Sequence, residues 1–202
     1  PCWRYDIYPD YKKGRKKMPE HLADKLADIQ DRFMAHHVDS LVSEADEADD
    51  LIATLAIKVA LRGQNVTIVS TDKCFLSLLN PNIQVYDYFN RRYLDQEYVL
   101  NKFSVKPDKL MDLWTLTGDS TNKIPGVAGI GQVTASQLLN QYGSIKSILS
   151  AKDLKRSVSD KLAQHGEQIS LSRKLLTLKI DIPLGFNLKD IRLPCENALA
   201  ST

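Results

Sequence analysis

At 202 residues, with 43% hydrophobic and 26% charged side chains, the chain has the composition of a soluble globular protein with room for one large domain or two small ones. A formal net charge of +2 excludes a uniformly basic nucleic-acid coat and implies a mixed surface. Three unclustered cysteines (Cys2, Cys74, Cys195), with His21, His36, His37 and His165 at no ligand spacing, exclude a disulfide scaffold or zinc ribbon and indicate a reducing compartment.

The chain opens without an initiator methionine on Pro1-Cys2-Trp3-Arg4 and soon reaches a basic stretch, Tyr11-Lys12-Lys13-Gly14-Arg15-Lys16-Lys17. There Lys12 and Arg15 are placed to meet phosphate and Tyr11 to stack on a base, although a solvated basic run has the same composition. After Pro19, the spacing of Leu22, Leu26, Ile29 and Phe33 predicts an amphipathic helix packed on the core. Val38 to Val42 reads as a strand that ends just before a dense acidic run, with five carboxylates between Glu44 and Asp50. Like charges three or four apart on one helical face repel, so a cation is expected there, while one or two of these acids serve only as caps for the helix that follows. That helix begins near Asp49, carries Leu51, Ile52, Leu55, Ala56, Val59 and Ala60 at helical spacing, and stops at Gly63.

Val66-Thr67-Ile68-Val69-Ser70 is a short β-branched apolar run of the kind that forms strands buried on both faces, and Asp72 follows it directly. Ligands of open α/β sheets collect beyond the carboxyl ends of the strands, so the two strands together are expected to aim Glu47, Asp49, Asp50 and Asp72 into one crevice. Carboxylates without His or Cys partners suit a hard cation, Mg²⁺ or Mn²⁺. Val85 to Tyr88, turning at Asn90-Arg91 into Tyr93-Leu94, reads as an antiparallel ribbon.

Beyond Phe103 to Pro107 the patterns turn helical: Lys109 to Gly118, Val133 to Gln141, Ile145 to Leu149, Asp160 to His165 and Ile169 to Leu178, closed by an irregular tail with Pro183, Gly185 and Pro194. Between the first two lies Ile124-Pro125-Gly126-Val127-Ala128-Gly129-Ile130-Gly131, a glycine-rich turn that opens a helix. No strand leads into it, which argues against a dinucleotide fingerprint and for a helix-hairpin-helix whose amides grip a sugar-phosphate backbone without reading bases.

Taken in order, Tyr11-Lys12-x-x-Arg15, Glu47-Ala48-Asp49-Asp50, Ser70-Thr71-Asp72-Lys73, Gly118-Asp119-Ser120 and Pro125 to Gly131 resemble the 5′-3′ exonuclease and flap endonuclease family, closest to its bacterial exonuclease IX branch. The resemblance implies an α/β fold: a PIN-like nuclease core with a mostly parallel sheet over 1–104, then a helical helix-three-turn-helix, SAM-fold-like unit over 105–202. It implies a structure-specific 5′ nuclease that hydrolyses phosphodiester bonds in branched DNA with divalent metal. Glu47, Asp49, Asp50 and Asp72 match the family's catalytic metal carboxylates, Asp49 most securely, and Asp119 matches a further acid. The resemblance also implies a potassium ion on the main-chain carbonyls of Leu116, Thr117, Pro125, Val127 and Ile130. Duplex backbone would lie against Gly129, Ile130, Gly131, Gln132, Val133 and Thr134, with Lys12 and Arg15 near the cleavage point.

Two departures qualify this. Asp72-Lys73-Cys74 stands where many relatives have Asp-x-Asp, and Asp119-x-x-Asn122-Lys123 where they have Asp-x-x-Asp-Asn. A thiol and an amide are weak magnesium partners, so one strongly held ion is expected rather than two, with Lys123 a candidate substitute charge beside the more ordinary reading of a solvated lysine. The family pattern also places a strand ending in aspartate, and one more acid, ahead of the first residue here. Two alternatives stay open: a module that holds branched DNA without cutting it, and a small-molecule phosphohydrolase on a similar core. No apolar run reaches membrane-spanning length and no signal segment is visible, so a cytoplasmic location is expected, and the resemblance implies a monomer whose partner is DNA with single-strand/double-strand junctions (5′ flaps), with no membrane.

Overall fold

The computed structural model describes residues 2–16 and 18–191; Lys17, Pro194 and Cys195 lie outside the described residues. The element that organises the first half is helix α4 (Ala48–Ala60), preceded by short helices α1 (Trp3–Ile7), α2 (Glu20–Ala23) and α3 (Leu26–Ala35). Glu47 is the extended residue before α4, and the buried face of α4 is made of Asp50, Leu51, Ala53, Thr54 and Ala56. Gly63, at φ +72°, turns the chain after it, a left-handed conformation that suits a residue without Cβ.

The chain then enters β1 (Val66–Val69), passes through a 3₁₀ turn (Lys73–Leu78), and returns as β2 (Ile83–Asp87) and β3 (Arg92–Leu94). β1 runs parallel to β2 with Val66 opposite Ile83, and β2 runs antiparallel to β3 with Val85 opposite Leu94. The expected ribbon is therefore present, its turn tied by the Asp87 carboxylate, which accepts from the Asn90 amide (3.1 Å) and side chain (2.7 Å).

Two expectations are corrected. The sheet is small and mixed rather than mostly parallel: among the described residues it has the order β1-β2-β3, and residues 38–42 form no strand. β1 is consequently an edge, with Ile68 buried but Val69 63% exposed, so it is not buried on both faces. A run of β-branched residues reports the propensity to be a strand, and which neighbours cover it is a tertiary matter. The helix with Leu22, Leu26, Ile29 and Phe33 does form, in α2 and α3, but all four side chains are exposed, Phe33 by half. Periodicity identified the apolar face correctly; the expectation that the core covers it fails.

The second half is helical: α5 (Gln96–Phe103), α6 (Leu110–Thr117), α7 (Gln132–Tyr142), α8 (Ile145–Ser150), α9 (Arg156–Gln164) and α10 (Gly166–Leu176). Asp95 caps α5 by accepting from the Tyr98 amide at 2.8 Å. Asp112, buried on α6, accepts from the Ile145 amide at the start of α8 (3.0 Å) and from Arg173 of α10, so one carboxylate ties three helices. The apolar core does not break at Ser104. Ile68, Phe75, Val85, Val99, Val105, Leu113, Leu116, Leu139 and Ile148 belong to one cluster that runs from the sheet into the helices. The tail after α10 is irregular, as expected, but it docks along α4: the Thr54 hydroxyl donates to the Lys179 carbonyl (3.2 Å), and Lys58 donates to that of Ile182 (2.9 Å).

Candidate metal centre and nucleic-acid interface

The first turn of α4 and the residues just beyond β1 meet at a small cleft of about 40 Å³, lined among others by Glu47, Asp49, Asp72, Lys73, Cys74, Trp114, Asp119 and Asn122. Within it, ligand atoms of Asp49, Asp72 and Cys74 all lie within 4.8 Å of one another. Asp72 is positioned by its own turn, since its Oδ1 accepts from the Cys74 amide at 2.9 Å and its amide donates to Ser70 Oγ at 3.0 Å. Asp49 is positioned by the helix start and has no ion pair or hydrogen bond from a side chain among the described residues. Cys74 was not expected in this group.

Three of the other acids of the run, Asp46, Glu47 and Asp50, are already matched with cations. Asp50, expected as a metal ligand, is fully buried and held bidentately by Arg4, at 2.6 Å (Nη1 to Oδ2) and 2.8 Å (Nη2 to Oδ1), with further donation from the Lys179 amide at 3.0 Å. In this structure Asp50 is therefore engaged by Arg4, about 100° around the helix from Asp49, and is absent from the group formed by Asp49, Asp72 and Cys74. Asp50 belongs to the core. Glu47 lies between, lining the cleft but accepting from Arg4 (3.2 Å), from the Tyr11 hydroxyl (3.0 Å) and from Lys12. Asp46 pairs with Lys179 at 2.6 Å.

Arg4 is the residue that sequence reading missed. Besides Asp50 and Glu47 it donates to the carbonyls of Leu175 (2.8 Å) and Thr177 (3.0 Å), so it joins α1 to both the C-terminal end of α10 and the start of α4. The signal for it was indirect, because a helix start this acidic cannot bury a carboxylate without a cation from elsewhere in the chain. Tyr11 is also placed differently from expectation. It is buried, edge-on to Tyr5 at 5.5 Å, and its hydroxyl is committed to Glu47, so it is unavailable to stack on a base. Lys12 is half-buried against Glu47, while Arg15 is exposed.

The charge pattern has consequences for protonation. Burial alone would raise the Asp50 carboxyl, but the hydrogen bonds from Arg4 and the Lys179 amide, with the charge of Arg4, hold it below the usual carboxylate range. Asp49 is raised, by burial first and by the nearby Asp72 next. Burial, with Asp72 and Asp49 adding to it, pushes the Cys74 thiol far up, so it stands there as a neutral thiol. Two carboxylates that repel each other across a cleft, with oxygen atoms close enough to share one ion, are the donor set a hard dication would relieve. The neutral thiol adds little for magnesium.

On the α6 side of the cleft, Asp119 is 4% exposed, and its oxygens accept from Lys73 Nζ (3.1 Å), the Thr121 amide (3.1 Å) and Asn122 Nδ2 (2.9 Å). Lys123, the candidate substitute charge, is exposed at φ +59° and belongs to no ion pair among the described residues. The basic stretch touches this loop through the Lys12 amide, which donates to the Asn122 carbonyl at 2.9 Å.

From Asp119 the chain enters the glycine-rich turn. Gly118 and Gly126 pass each other back to back: a Cβ on Gly118 would come 2.6 Å from the Ile124 carbonyl oxygen, and one on Gly126 would overlap the Thr117 carbonyl. Leu116 accepts from the Val127 amide at 2.7 Å, Pro125 from Ser172 Oγ at 2.6 Å, and Val127 from the Ile130 amide at 3.0 Å. Three of the five carbonyls expected to hold potassium thus already accept one hydrogen bond each, leaving a second lone pair apiece. The α7 start has no side-chain cap, so the amides of Gln132, Val133 and Thr134 are unsatisfied within the helix and face outward behind Gly131. Ile130 is buried and contributes backbone alone to this surface, whereas Val133 is 71% exposed. Gly126→Ala is expected to cost about 3 kcal/mol by overpacking two backbones, a fall of roughly 8 °C in Tm by calorimetry.

Comparison with known proteins places this architecture. The family model for the 5′-3′ exonuclease N-terminal resolvase-like domain matches residues 1–104, and that for the 5′-3′ exonuclease C-terminal SAM fold matches residues 105–198. A protein named flap endonuclease Xni from Colwellia psychrerythraea is 72% identical over 98% of this chain and 68% of its own length. One of the same name from Photobacterium profundum is 50% identical over 94% of this chain and 74% of its own. Among solved structures, bacteriophage T5 5′-exonuclease with bound zinc superposes with a TM-score of 0.75 at 21% identity, covering 88% of this chain and 70% of that one, a likeness of fold. The chain therefore belongs to the 5′-3′ exonuclease family, with an α/β nuclease core and a helical SAM-fold part.

Proposed function

We propose that the protein is a flap endonuclease: a structure-specific 5′ nuclease that hydrolyses phosphodiester bonds in branched DNA with a divalent metal. The observation that carries this is the meeting of Asp49 and Asp72, from separate elements, at a cleft walled on its other side by the loop that leads into the uncapped, glycine-rich start of α7. The names of the relatives support it. Asp49 and Asp72 would hold one Mg²⁺ or Mn²⁺ ion, Glu47 and Asp119 shaping the field around it. Such an ion supplies an activated water and neutralises the phosphate under attack.

The chain's own groups do the positioning. Arg4 and Lys12 keep Glu47 fixed and offset its charge, so that a phosphate can approach a cleft lined by four acids, Glu47, Asp49, Asp72 and Asp119. The amides of Gln132 to Thr134, with Gly129 and Gly131 letting the backbone come close, seat duplex phosphates at a fixed distance from the carboxylates. The carbonyls of Leu116, Thr117, Pro125, Val127 and Ile130 form a potassium seat that adds positive charge beside those amides. Residues 1–104 act as the nuclease part and 105–202 as the duplex-holding part of one monomer, working in the cytoplasm. Among the described residues no helix is long and apolar enough to cross a membrane.

The test is cleavage of a labelled 5′-flap oligonucleotide. Product in Mg²⁺ that disappears in EDTA supports the reading, and tight metal-independent flap binding without product supports a non-catalytic DNA-binding module instead. Binding should weaken steeply with salt and vary little with sequence, since backbone phosphates carry it.

A further inference from the structure

The cleft holds one cation of its own that the expected chemistry does not use. Lys73 follows Asp72 directly, and its Nζ lies 3.1 Å from Asp119 Oδ1 and 5.9 Å from the centre of the Trp114 ring. Asp119 is nearly sealed from solvent, and every donor on it points from the protein side: Lys73, the Thr121 amide and Asn122. With its oxygens engaged in this way, Asp119 is an anchor for an ammonium group. Lys73 itself is 39% exposed, so the ammonium is held at one side and open to the cleft at the other. Lys123, by contrast, has no comparable anchor among the described residues.

We infer that Lys73, positioned by Asp119, is a catalytic residue of the nuclease, with its ammonium placed against the scissile phosphate, where many nucleases use a second metal ion. This rests on the nuclease reading above. In-line displacement at phosphorus develops negative charge on both the attacking and the leaving oxygen, and a single dication held by Asp49 and Asp72 would supply charge to offset one of them. A preorganised ammonium held at the Asp119 side of the same cleft supplies the balancing charge without binding another ion. No proton transfer is required of Lys73: the water oxygen bonds to phosphorus and releases a proton to solvent, the P–O bond to the leaving oxygen breaks, that oxygen takes a proton from solvent to become a hydroxyl, and the ammonium stays protonated throughout.

The inference is tested with Lys73→Met and Lys73→Arg by two readouts, each variant first checked for an unchanged thermal melt. By electron paramagnetic resonance, wild-type protein without DNA should bind one Mn²⁺ per chain, and Lys73→Met should still bind one. On a 5′-flap substrate in Mg²⁺, Lys73→Met should lower kcat by about 100-fold, the loss typical of one preorganised charge-stabilising donor, with KM within twofold, and Lys73→Arg should recover about 10-fold of it. Lys73→Met cutting within threefold of wild type would overturn the inference while leaving the nuclease reading intact. So would two Mn²⁺ per wild-type chain with Asp119→Asn removing one, because Asp119 would then be a metal ligand. A wild-type protein that binds the flap and Mn²⁺ but never cuts would contradict the nuclease reading, and this inference would fall with it.

Discussion

Asp49→Ala should abolish flap cleavage in Mg²⁺, lowering kcat by about 1,000-fold or more, while flap affinity measured in EDTA changes by less than about twofold. Three decades correspond to about 4 kcal/mol of transition-state stabilisation, which is the scale expected when a metal ion loses a principal ligand. The reason for choosing Asp49 over its neighbours is geometric. It is the acid of the α4 start whose carboxylate lies beside that of Asp72, and among the described residues it has no cationic partner in an ion pair. Its carboxyl is raised by burial and by Asp72, so removing it relieves repulsion rather than breaking a contact. The variant should therefore fold at least as well as wild type, and lost activity cannot be confused with lost structure. Single-turnover cleavage beside fluorescence-anisotropy binding separates the two effects.

Asp50→Ala should behave in the opposite way, with a large loss of stability. Arg4 is 2% exposed and would lose its bidentate carboxylate, keeping only Glu47 at 3.2 Å; breaking such a buried pair costs about 3 kcal/mol or more, a fall in Tm of roughly 10 °C for a chain of this size. The pH dependence follows from the lowered carboxyl of Asp50. Because the folded value lies below the unfolded value of about 4, its contribution is fully present above pH about 4 and is lost as pH falls through the folded value. The difference in Tm between wild type and Asp50→Ala should thus be constant near neutrality and narrow below about pH 4 in a series of calorimetric scans. A double variant with Arg4→Met should recover part of the loss, since the buried guanidinium that has lost its bidentate partner is then gone.

The contrast between these adjacent aspartates shows what could be read from the chain and what could not. Local order gave α4, its glycine stop, β1, the β2–β3 ribbon and the glycine turn opening α7, because each depends on periodicity or on a backbone conformation that a few residues determine. The convergence of the α4 start on Asp72 was also legible, from the position of the acid just past a strand. The partition of the acids was not. Which carboxylate faces the cleft and which faces the core depends on Arg4, 46 positions before Asp50 in sequence, and on Lys179, 129 positions after it. Lys73 and Cys74 could be seen as departures from a pattern, but their placement against Asp119 and Asp49 needed three dimensions. Val38 to Val42 and the α2–α3 stripe failed for a related reason: a pattern of apolar residues states what should be covered without supplying the cover.

The central claim, that Asp49 and Asp72 share one dication, is tested most directly by anomalous diffraction from crystals of the protein soaked in Mn²⁺. The result predicted is one peak in the cleft, about 2.2 Å from a carboxylate oxygen of each residue, with Asp50 still bound to Arg4. A peak that engages Asp50 or Glu47 but not Asp72, or an empty cleft at saturating Mn²⁺, would contradict it.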